Sequence, residues 1–69
     1  MTQTTQRMYL ASIDTTTTTL EEALAKLVSR EGVTVTKVTR PLNMIMFMSG
    51  ESVETFEALE GVSWVKDVS

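Results

Sequence analysis

Sixty-nine residues, nine of them acidic and six basic, give a net charge of −3 with neither cysteine nor histidine. A chain this short is at most one domain, burying only about 60% of its unfolded surface, so its stability is a few kcal/mol. The composition excludes disulfides, thiolate–metal centres and imidazole catalysis, and the acidic balance disfavours a domain built to neutralise phosphates.

Residues 1–6 are polar and carry no side-chain charge, which predicts a flexible N-terminal tail ahead of a single domain over residues 7–69. The start lacks an apolar h-region, and no apolar run approaches the roughly 18 residues that span a bilayer. The default expectation is a cytoplasmic protein with no membrane partner, a virion being the alternative setting.

Arg7 to Asp14 predicts a strand, because Met8, Tyr9, Leu10, Ala11 and Ile13 place apolar groups on both alternating faces. Either Tyr9, Ala11 and Ile13 or Met8, Leu10 and Ser12 can face the core. The threonine run Thr15–Thr19 favours caps over helix interior. Thr18 with Glu21 and Thr19 with Glu22 both fit a capping box. Leu20, Ala23, Leu24, Leu27 and Val28 then recur at helical spacing, Lys26 and Arg30 suit the helix C-terminus, and Gly32 suits the left-handed residue after it.

Val33 to Thr39 is β-branched, with one face more polar, and predicts an edge strand. Arg40-Pro41-Leu42-Asn43 predicts a turn. Met44 to Met48 is apolar on both faces and predicts a second central strand. Ser49 or Ser52 can cap a short helix bearing Val53, Phe56 and Leu59, which Gly61 ends. Val62 to Val68 predicts the last strand. The β-α-β-β-α-β order predicts an α+β fold, a ferredoxin-like split β-α-β sandwich with a four-stranded antiparallel sheet and two helices on one face.

Such a sheet leaves its other face uncovered. If Met44, Met46 and Met48 are core, Ile45 and Phe47 lie on the open face, joined by Trp64, with Val65 turned inward. Exposed together, these side chains suggest a binding patch. The alternative is that a small sheet simply wears some apolar groups in water. Glu51, Glu54, Glu57 and Glu60 read as a solvated helix face and not as a cation site. The isolated glycines make no phosphate loop, and the serines lack a histidine to activate them. The expectation is therefore no enzyme, no metal and no cofactor.

Several short motifs carry a family resemblance: Arg7-Met8-Tyr9-Leu10, Gly32-Val33, Pro41-Leu42-Asn43, Ser49-Gly50-Glu51-Ser52-Val53-Glu54 and Gly61-Val62-Ser63-Trp64-Val65-Lys66-Asp67. Through them, residues 7–68 resemble the inhibitor family of subtilisin propeptide-like domains and their free-standing relatives. That resemblance implies a ferredoxin-like fold whose open sheet face packs on a subtilisin-like serine protease. It also implies a C-terminal segment running into the protease cleft. Carried onto this chain, the sheet surface is Ile45, Phe47 and Trp64, and the cleft segment is Lys66, Asp67, Val68 and Ser69. The competing expectation is a structural module that forms a homo-oligomer or joins a larger assembly through the same face. A third, single-stranded RNA stacking on Tyr9 and Phe47, is disfavoured by charge, so no nucleic-acid partner is expected.

Overall fold

In the computed structural model, which describes residues 5–69, the two-sided apolar segments become the two central strands. The elements are β1 (Arg7–Ile13), α1 (Leu20–Val28), β2 (Thr34–Thr39), β3 (Met44–Ser49), α2 (Val53–Glu57) and β4 (Val62–Asp67). Of the expected N-terminal tail, residues 1–4 lie outside the described residues; Thr5 and Gln6 are exposed ahead of β1.

The sheet order is β2-β3-β1-β4, and every neighbouring pair is antiparallel. The protein thus has an α+β fold with a four-stranded antiparallel sheet and two helices, an order compatible with the ferredoxin-like arrangement. The β2–β3 hairpin closes through the expected turn. The Asn43 amide donates to the Arg40 carbonyl at 3.1 Å, and Asn43 takes a left-handed φ of 53°.

Of the two possible capping boxes, the chain uses the second. The Thr19 hydroxyl accepts from the Glu22 amide at 3.1 Å, and Glu22 returns its carboxylate to that hydroxyl. The Asp14 carboxylate gathers the preceding loop by accepting from the Thr16 amide and from the Thr16 and Thr17 hydroxyls. Gly61, at φ +87°, accepts from the Asp14 amide at 2.7 Å. A β-carbon there would stand 2.3 Å from Thr18 Cγ2, so only glycine fits this crossing.

One core joins both helices to one side of the sheet. Tyr9, Ala11, Ile13, Ile45, Phe47 and Val65 meet Leu20, Ala23 and Leu27 of α1 and Phe56 of α2. Tyr9, Phe47 and Phe56 pack as three mutually tilted rings, the closest pair 4.7 Å between centroids. The Tyr9 hydroxyl donates to the Glu51 carbonyl at 2.8 Å, so its polar end is satisfied where its ring is buried. Arg30 lies 5.6 Å above the Phe56 ring and pairs with Glu51 at 3.2 Å, closing the rim.

Two expectations are corrected here. Ile45 and Phe47 are each 0% exposed and form the centre of the core, not the open face. Phe56 needs a flat partner of its own size, and Phe47 supplies it; Ile45 has the same parity and follows. Val28, placed in the apolar stripe of α1, is instead 56% exposed, at the last residue of the helix.

Candidate functional site

The uncovered side of the sheet is built by the opposite parity. Along β3, Met44, Met46 and Met48 are half-buried while Ile45, Phe47 and Ser49 are buried. Along β1, Met8, Leu10 and Ser12 share the methionines' side. Tyr9, Ala11 and Ile13 therefore face the helices, which resolves the ambiguity of strand one.

Three cross-sheet rows describe this face. In the first, Thr34, Met48 and Met8 stand side by side. In the second, Lys37, Met46, Leu10 and Lys66 span all four strands. In the third, Thr39, Met44, Ser12 and Trp64 do the same. The middle two strands are apolar but for Ser12, and the outer two carry the lysines, threonines and Trp64. Met8 reaches across β3, bringing its sulfur 3.7 Å from the Thr36 hydroxyl, which also donates to the Met46 carbonyl.

Both outer strands are interrupted. Thr36 is an extra residue between the Val35–Phe47 and Lys37–Met46 pairs. Ser63 is an extra residue between the Ile13–Val62 and Ser12–Trp64 pairs. These bulges twist the edges and aim Lys37 and Trp64 onto the open face.

Charge is divided just as unevenly. The carboxylates of Asp14, Glu21, Glu22, Glu31, Glu51, Glu54, Glu57 and Glu60 belong to the helices and loops. Asp67, the one acid in a strand, sits opposite Tyr9 on the helix-side parity and pairs with Arg7 at 3.0 Å. Arg40 pairs with Glu21. Among the described residues, Lys37 and Lys66 are exposed and make no ion pair. The cross-strand rows of the open face thus bear two ammonium groups and no carboxylate.

Of the residues expected on this face, Trp64 is there, 41% exposed, and Ile45 and Phe47 are not. The C-terminal segment also lies differently from a free arm. The Val68 amide donates to the Met8 carbonyl at 2.9 Å, and the Met8 amide donates to the Ser69 hydroxyl at 2.7 Å. Asp67 accepts from the Ser69 amide at 3.0 Å, and this bond with Ser69, seconded by Arg7, holds its carboxyl below the usual range. Lys66, Asp67, Val68 and Ser69 therefore continue β4 along β1.

Comparison with protein-family profiles, curated proteins and solved structures finds no match to this chain. Among the described residues there is no group of three acids suited to a metal ion and no pocket, and no helix is long and apolar enough to cross a membrane. The distinguishing surface is the methionine face. Sequence reasoning missed its residues because both parities of β3 are apolar. The register of the hairpin was the available signal: the turn pairs Thr39 with Met44 and Val38 with Ile45, so the polar partner marks the methionine side as open.

Proposed function

We propose that this chain is a non-catalytic protein-binding module that docks through the open face of its sheet. The observation that carries the reading is the concentration of Met8, Leu10, Met44, Met46, Met48 and Trp64 on the side of the sheet that neither helix covers. Methionine is unbranched and polarizable, so a methionine surface can remould around a partner's side chains and is favoured at binding surfaces. Trp64 adds a large amphipathic anchor at the rim. Any one of these groups in isolation would be ordinary; six together are not.

The likeness to propeptide-like inhibitors directs this reading toward a subtilisin-type serine protease, with the sheet face supplying affinity. In this chain the contact residues become Met44, Met46, Met48 and Trp64, in place of Ile45 and Phe47. The alternative is an assembly module, and the pinned C-terminal segment favours it: Lys66 to Ser69 must peel away from β1 before entering a cleft.

Two measurements separate these readings. In a titration of subtilisin with the purified chain, the inhibitor reading expects activity to fall saturably, and Met46→Asp to abolish the effect without unfolding the protein. Full protease activity at high micromolar chain sinks the inhibitor reading. Light scattering of the chain alone tests self-assembly, which a monomer at high concentration eliminates.

A further inference from the structure

The open face has a specific width and a specific charge. Its second row runs Lys37, Met46, Leu10, Lys66 across the four strands. At about 4.8 Å per strand, the two lysine backbones stand roughly 14 Å apart with an apolar floor between them. An α-helix with its side chains is about 10–12 Å across, so a single helix laid along β3 and β1 fills the strip between the lysines.

We infer that the partner presents one amphipathic helix whose apolar stripe is bordered on both sides by Glu or Asp. This deepens the protein-binding reading and rests on it. The floor takes the apolar stripe, with methionines adapting to its shape. Lys37 on one flank and Lys66 on the other take the bordering carboxylates, and no acid stands in the cross-strand rows of this face to oppose them. Charge of this kind fixes orientation and rejects the wrong partner more than it adds affinity.

The same features count against two other occupants. A second copy stacked face to face would place four lysines around one apolar strip with no carboxylate to meet them. Single-stranded RNA needs a platform of exposed rings, and Tyr9 and Phe47 are buried under the helices, leaving Trp64 alone.

Trp64 is the only tryptophan in the chain and sits at the edge of the strip, so its emission reports docking directly. The probes are two synthetic tryptophan-free helical peptides with the same Leu/Ala stripe, one bordered by Glu and the other by Lys. The Glu-bordered peptide is expected to blue-shift Trp64 saturably and to bind roughly 10-fold more tightly than the Lys-bordered one. Added salt should shrink that ratio. The Lys37→Glu/Lys66→Glu double variant, its fold checked by circular dichroism, should reverse the preference.

Equal binding of the two peptides, lost on Met46→Asp, overturns the acidic-helix inference and leaves the docking face standing. Equal binding unaffected by Met46→Asp overturns both. If neither peptide binds, the inference falls, and the protease and light-scattering measurements decide the broader reading on their own. Self-association on light scattering, or a Trp64 shift with oligouridylate and neither peptide, replaces the helix with a second copy or with RNA.

Discussion

The two sides of β3 are made from the same strand and nearly the same hydrophobicity, yet they do opposite things. Ile45, Phe47 and Ser49 are buried on the side that packs against the helices; Met44, Met46 and Met48 remain half-buried with neither helix above them. The buried side holds shape-matched groups: tilted rings at 4.7–5.7 Å and a tyrosine hydroxyl bonded to a backbone carbonyl. The open side holds flexible ones. Rigid side chains specify a fold because they fit in one way only; on the proposed reading, methionines suit a surface that adapts to a partner.

The sharpest way to break this comparison is to truncate neighbours on β3. Phe47→Ala removes the centre of the core and should cost about 3–5 kcal/mol, close to the whole stability of so small a domain. Met46→Ala should cost only about 1 kcal/mol, because its side chain is already partly in water. Urea unfolding of the pair checks this, and equal losses would mean that the two sides are equivalent. A smaller effect sharpens the comparison: Tyr9→Phe keeps the ring packing and deletes one hydrogen bond to Glu51, for a loss of about 1 kcal/mol by the same assay. Binding through the open face should be unchanged in Tyr9→Phe, since Tyr9 points away from it.

Acid should have the smallest effect. Asp14, held by the Thr16 and Thr17 hydrogen bonds, and Asp67, held by Ser69 and Arg7, both have carboxyls below their ordinary range. Glu21 is lowered by its own backbone amide and by Arg40. A folded pKa below the unfolded value gives stability that is present above the unfolded pKa and lost as pH falls through the folded one. All three groups lie at the surface and their pairs are screened by water, so the melting temperature should drop only modestly between pH 6 and pH 3, and less in Asp67→Asn. None of them stands in the cross-strand rows of the open face.

The strand order and both turns were legible because each rests on a local rule. Two-sided apolarity marked β1 and β3 as central, Asn43 closed the hairpin, and Gly32 and Gly61 take a positive φ in the loops that follow the right-handed C-caps Ser29 and Ala58. Facing was harder. A strand such as Met44–Met48 has no polar residue to mark its wet side, so parity cannot be read from the strand by itself. It is settled by neighbours: Thr39, Thr34 and Ser12 stand beside the methionines, and Val38, Val35 and Tyr9 stand beside Ile45 and Phe47. Thr36 hides that pattern, because the residue inserted into β2 shifts its alternation by one. Trp64 and Val65 do point oppositely, as β4 alternation requires, but Trp64 stands on the side away from Ile45 and Phe47, with which it was expected.

The irregular residues Thr36 and Ser63 have a consequence for the molecule's behaviour in a crowded solution. A greasy sheet with straight borders would recruit further chains strand by strand and grow into fibrils. Here each border is kinked by an inserted residue and carries a lysine, two features that oppose ladder growth. On the proposed reading, the apolar face is kept for a partner while the rims resist strand-by-strand addition.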